Sequence, residues 1–155
     1  MRALWVPTLM MVALLAACGG GGSSRLSASD YRAHLETVAH QSDQAQHAAE
    51  RGFHATSVPR LVKVLTAFQA AEKRIGDEVA ALKSPTNAEA ANAELAKGQQ
   101  DTAAELQGII PRVEKMSSTQ AAIAYLSKTP TTKGGREVDA ALAKLKKLGY
   151  IKNTS

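Results

Sequence analysis

The sequence predicts an all-α fold, a mostly antiparallel bundle of four or five helices behind a short amino-terminal apolar segment. Apolar residues recur at intervals of three and four over several long stretches, the period of a helix with one face in a core. The stretches between them are short and rich in turn-forming residues, such as Ser84-Pro85 and residues 129–135. No segment alternates β-branched and aromatic residues as a strand would. Alanine, the strongest helix former, dominates the composition. Aromatic residues are few, so the core must be built from Leu, Val, Ile and Ala.

The first helix is expected to open at Ser27, with Asp30 three positions on as a partial capping signal. Its apolar face reads Tyr31, Leu35, Val38, Ser42, Ala45, Ala49 and Phe53, with Gly52 as a late break. The second begins after Thr56 or Ser57 with Pro59 in its first turn, where a missing N–H costs nothing. Its stripe is the clearest in the chain, Leu61, Leu65, Phe68, Ala71, Ile75, Val79 and Leu82, and it ends before Pro85.

Thr86 and Glu89 have capping-box spacing for the third helix. Its face reads Ala88, Ala91, Leu95, Gln99, Thr102, Leu106, Ile110 and Val113, and Pro111 is predicted to end or kink it near Ile109. A short helix is predicted over 117–127. Residues 129–135 read as a loop in which Gly134-Gly135 make a turn rather than a phosphate cradle. The last helix is predicted over 136–148, with Val138, Leu142, Leu145 and Leu148 inward and Gly149 as its stop.

The amino terminus, MRALWVPTLMMVALLAACGGGGSSR, places one basic residue before an apolar run from Ala3 to Ala17. The run falls short of the roughly 20 residues that span a bilayer. A charged start, an apolar centre and small residues at the end are the layout of an export signal. Leu15-Ala16-Ala17-Cys18 resembles the lipobox of bacterial lipoproteins. The resemblance implies that residues 1–17 are removed and that Cys18 receives lipid on its sulfur, and usually acyl chains such as palmitate on its amine. An ionised thiol is a natural acceptor for such a group, and two or three chains anchor where one is marginal. The competing reading, an ordinary secretory signal, leaves an unpaired Cys18 in an oxidising compartment. Cys18 is the only cysteine, so the mature chain forms no internal disulfide.

Gly19 stands where an inner-membrane retention signal of the Asp type would have Asp. The Gly-rich flank looks like that of a high-GC, actinobacterial-type organism with one main membrane. Residues 19–25 read as a flexible tether. The expected organisation is a signal over 1–17, the lipidated Cys18 with its tether over 18–26, the bundle over 27–150 and a flexible tail over 151–155. The covalent lipid on Cys18 is the one cofactor-like group expected.

Charge is uneven along the chain. Basic and acidic side chains balance from Cys18 to Thr132, whereas Lys133, Arg136, Lys144, Lys146, Lys147 and Lys152 face only Glu137 and Asp139. Two readings stay open: contact with anionic head groups, or a solvated helix face whose late lysines suit the helix dipole. Export argues against a nucleic-acid partner.

On the first helix, Glu36, His40, Asp43, His47, Glu50 and His54 recur every three or four residues. They form a face roughly 130–140° from the apolar stripe at about 100° per residue. Imidazole and carboxylate at this spacing can share a transition metal, which makes His40, Asp43, His47, Glu50 and His54 weak candidate ligands for a surface binder of metal or small ligand. Against it, an open helix face supplies few ligands and no closing shell, and acid–His pairs are ordinary helix-surface chemistry. The chain carries no nucleophile elbow, HExxH, P-loop or paired cysteines. Ser27, Ser57, Ser117 and Ser118 stand where helix capping accounts for them. A non-enzymatic role is therefore expected.

Leu26-Ser27-Ala28-Ser29-Asp30-Tyr31, opening a helix just after the Gly/Ser stretch, resembles uncharacterised small lipoproteins of actinobacteria and related soil bacteria. Ile75-Gly76-Asp77-Glu78-Val79-Ala80-Ala81-Leu82 followed by Lys83-Ser84-Pro85 resembles the helix-then-proline segment of the same proteins. The resemblance implies an all-helical, lipid-anchored envelope protein and supplies no catalytic residue. Many of those proteins carry a cysteine in the first mature helix and this chain has none there, so no disulfide carries over. The function expected is a helical scaffold or interaction module on the outer face of the cell membrane. Its partner would be an envelope protein or a second copy of the chain.

Overall fold

The computed structural model describes residues 24–129 and 132–151. Five α-helices and one 3₁₀ turn account for most of them: α1 (Ala28–Gly52), α2 (Val58–Ala81), the turn Thr86–Ala88, α3 (Glu89–Glu114), α4 (Thr119–Lys128) and α5 (Lys133–Lys147). Among the described residues there is no strand, and no helix is long and apolar enough to cross a membrane.

Local chemistry sets most of the boundaries. Ser27 caps α1: its Oγ accepts from the Asp30 N–H at 3.1 Å and donates to the Asp30 carboxylate at 2.6 Å. Ser118 caps α4 through the Ala121 N–H, and Thr132 caps α5 through the Gly135 N–H. Pro59 sits in the first turn of α2 as expected, but the Ser57 side chain makes no capping bond. The end of α5 is a Schellman turn. The Tyr150 N–H bonds to the Leu145 carbonyl, the Gly149 N–H bonds to the Lys146 carbonyl, and Gly149 takes φ 77°.

Four sequence expectations are corrected. The Thr86/Glu89 capping box does not form; the chain enters α3 through the 3₁₀ turn, with Ala88 at the N-cap and no side-chain capping bond. Of the two outcomes expected of Pro111, an end to the third helix near Ile109 is overturned, because α3 runs on to Glu114 with the proline inside it. Val113, beyond the proline, is fully buried and holds that last turn in the core. Gly134-Gly135 are not a loop turn but lie in the first turn of α5, which starts three residues earlier than the pattern suggested. Phe53 and His54 lie beyond α1; Phe53 is 42% exposed rather than part of the inward face, and Leu142 and Leu148 of α5 are also exposed.

Packing has two storeys. Near the chain's first described residues, α1, α2, α3 and α5 enclose Tyr31, Leu35, Val38, Ile75, Val79, Leu95 and Leu145. At the opposite end, α2, α3 and α4 enclose Leu61, Leu65, Val113 and Ala122. Helix α3 is the central element, with α2 and α5 on its flanks, while α1 lies on α2. The α3–α5 approach depends on glycine. A Cβ on Gly134 would stand 2.5 Å from the Gly98 carbonyl oxygen, and one on Gly98 would stand 2.8 Å from the Val138 nitrogen.

Candidate functional site

The signal over 1–17 and Cys18 lie outside the described residues, as do residues 19–23 of the expected tether. The fold takes hold of the chain earlier than the sequence suggested. The Leu26 N–H donates to the Lys83 carbonyl at 2.8 Å, and Leu26 packs on the core. Arg25 donates to the Ser84 carbonyl at 2.9 Å and pairs with Glu89 at 2.8 Å. The expected tether of 18–26 is thus shortened by its last two residues. Ile151, placed in the expected tail, also packs against the core.

This entry segment borders the main cleft, an open volume of about 570 Å³ between Arg25, the Leu82-Lys83-Ser84 turn and the first turns of α3. Most of its polar groups are engaged; Lys83, also in the lining, is exposed. Asn92 Oδ1 accepts from the Tyr31 hydroxyl at 3.0 Å, and Asn92 Nδ2 donates to the Val79 carbonyl at 2.9 Å. Burial, with the Tyr150 ring beside it, pushes the Tyr31 phenol up to about 12, so it remains a donor. Lys97 pairs with Asp101 at 2.5 Å and Glu137 at 3.2 Å, and Lys133 joins the same two carboxylates. Lys97 and Lys133 hold the Asp101 carboxyl down at about 2. These ion pairs fasten α5 to α3, so the cleft wall is structural chemistry.

The His/acid residues of the first helix are placed as follows. His40, Asp43, His47 and Glu50 lie along α1 and are exposed, while His54 has left the helix. His40 hydrogen-bonds Gln44 at 2.9 Å, and His47 pairs with Glu50 at 3.1 Å. Both contacts join neighbours on one helix. Among the described residues, no group of three or more His, Cys, Asp or Glu is gathered so as to hold a metal ion.

Sequence reasoning missed buried polar groups outside the apolar faces. Glu72 is 7% exposed and Gln41 Oε1 is buried without a hydrogen bond, while Gln99, on the inward face expected of α3, is buried as well. Gly52 packs on Val64, and Tyr31 and Val79 both bond Asn92. That antiparallel register puts Glu72 level with the turn holding Gln41. Burial raises the Glu72 carboxyl from 4.5 to about 7. The signal was present in the sequence, since Glu72 lies one position from the apolar stripe residue Ala71 and three from Ile75.

Comparison with protein-family models, curated proteins and solved structures finds no match to this chain.

Proposed function

We propose that the protein is a lipid-anchored cell-envelope protein, held through Cys18 on the outer face of the membrane, whose helical domain is a non-enzymatic scaffold or interaction module. The observation that carries this reading is the sequence Leu15-Ala16-Ala17-Cys18 at the end of a short apolar run. The place where folding begins supports it. Among the described residues, Arg25 is the first whose side chain is held by the bundle, seven residues after Cys18. Fully extended, seven residues span at most about 25 Å, which keeps the domain close to the head groups. The engagement of Asn92, Lys97 and Glu89 in the cleft supports a scaffold over a catalyst, because nucleophilic or acid–base chemistry needs groups poised toward a substrate.

The test is the intact mass of the protein extracted from membranes after expression with its own signal. The expected product begins at Cys18 and carries a diacylglyceryl group with or without a further acyl chain. Cys18→Ser should abolish the lipid mass. A mature protein cut elsewhere, or an unmodified Cys18, overturns the anchor. Crosslinking in intact cells then tests the interaction role; recovery of the uncrosslinked monomer alone argues against it.

A further inference from the structure

The topology brings the tether exit and the end of α5 to one end of the bundle. Leu26 is bonded to Lys83 at the end of α2. The Tyr150 hydroxyl donates to Asn87 at 2.8 Å, and the Tyr150 ring meets Tyr31 edge-on with centroids 5.0 Å apart. Arg32 lies over the same ring, 5.9 Å from its centre. The late lysines, remote from Cys18 in sequence, therefore stand beside the point where the tether leaves.

Some charges at this end are neutralised locally. Arg25 pairs with Glu89 and Lys144 pairs with Glu94, while Asp30 keeps its charge and accepts from the Ser27 hydroxyl. Lys83, Lys146 and Lys147 are exposed and have no carboxylate partner among the described residues, and Arg32 is exposed as well. Leu148, next to Lys147, is 40% exposed. Basic side chains around an exposed leucine match the chemistry of a lipid interface, where cations meet anionic head groups and an apolar side chain enters the boundary.

We infer that this end of the bundle is an anionic-lipid-facing surface, with Arg32, Lys83, Lys146 and Lys147 meeting acidic phospholipid head groups and Leu148 at the boundary. The inference rests on the Cys18 anchor for the choice of end. Arg60, Lys63, Arg112, Lys115 and Lys128 make the far end basic as well. Charge alone does not choose between the ends; the tether does. The 24 residues of α2, at 1.5 Å per residue, put the far end about 35 Å away, whereas surface electrostatics fade over about 8–10 Å.

The experiment uses the full-chain lipoprotein reconstituted into vesicles of phosphatidylcholine alone or with phosphatidylglycerol added. Lysine acetylation is read site by site by mass spectrometry. Lys83, Lys146 and Lys147 should lose reactivity about threefold or more in the acidic vesicles and regain it in high salt. Lys63 and Lys115 should change little. Lys146→Glu with Lys147→Glu, both exposed, should remove the protection of Lys83 without releasing the protein from neutral vesicles. Equal labelling in the two vesicle types, or equal protection of the far-end lysines, overturns the inference. Failure of the anchor is read separately, as failure to float with neutral vesicles. If the near-end lysines are then still protected by acidic vesicles, the surface stands without the anchor; if they are not, both fall.

Discussion

The Tyr31 hydroxyl donates to Asn92 Oδ1 at 3.0 Å across the buried junction of α1 and α3, and Asn92 in turn donates to the Val79 carbonyl of α2. One side chain thus ties three helices together at the end where the chain enters the fold. Val79 lies two residues before the end of α2, and its carbonyl also accepts from the Leu82 N–H at 3.2 Å. Asn92 adds a second donor to that carbonyl at the helix end.

Tyr31→Phe keeps the ring and its contact with Tyr150 but leaves Asn92 Oδ1 buried without a donor. The expected cost is about 1–3 kcal/mol, the penalty of an orphaned buried acceptor. Urea unfolding measures it. A double-mutant cycle with Asn92→Leu should show coupling, because the tyrosine's loss matters less once the acceptor is gone. Strictly additive effects would mean that the hydrogen bond contributes nothing.

Glycine substitutions should split by position. Gly134→Ala forces a methyl group into the Gly98 carbonyl and should cost about 1–3 kcal/mol as α5 is pushed from α3. Gly108 lies on the same long helix with no atom within 4 Å of a would-be Cβ. Gly108→Ala should therefore stabilise by about 0.5–1 kcal/mol, the helix-propensity difference. Thermal melts of the two variants decide it; shifts of the same sign would refute the close-contact account.

Much of this architecture was legible in the sequence. The stripe from Leu61 to Val79 and the face from Ala91 to Val113 identify the two central helices, because period and burial coincide there. Ser27 and Gly149 mark their helix ends because each acts through its own neighbours. The errors fall where distant contacts decide. Gly134 reads as a turn residue until Gly98 is seen beside it. Glu72 reads as a surface charge until the packed fold buries it. The lipobox-like Leu15-Ala16-Ala17-Cys18 is read from the sequence, whereas the seating of Tyr150, just beyond Lys146 and Lys147, against Tyr31 of α1 emerges only when α5 folds back.

Glu72 should make stability fall as pH rises. Its carboxyl is raised in the folded protein from 4.5 to about 7, with burial as the cause. The folded state therefore holds a proton that the unfolded chain has released. The favourable contribution is full below about pH 4.5 and is lost as pH climbs through 7, a change of about 3 kcal/mol. Glu72→Gln keeps the shape and removes the charge. The difference between wild type and variant in urea midpoints at pH 5 and pH 8 isolates this group from the exposed histidines, which both proteins share. The variant should gain relative to wild type at the higher pH. A difference that does not change with pH would show that Glu72 ionises as freely in the folded chain as in the unfolded one.

Pro111 should be a site of reserve stability. It has no N–H to offer the Gln107 carbonyl, yet α3 continues past it to Glu114. Packing supplies what the backbone lacks: Val113 is 0% exposed and joins Leu61, Leu65 and Ala122 in the far storey. Proline is about 3 kcal/mol less favourable than alanine inside a helix, partly offset by about 0.4–1 kcal/mol because it stiffens the unfolded chain. With the proline exposed and near the helix end, Pro111→Ala should stabilise by about 1–2 kcal/mol. Val113→Ala should act oppositely, costing about 1–3 kcal/mol and speeding amide exchange over residues 112–114. Because the last turn then depends on the backbone alone, that exchange should slow again when Pro111→Ala is added. If Val113→Ala leaves exchange at the end of α3 unchanged, the burial of Val113 is not what carries the helix through the proline.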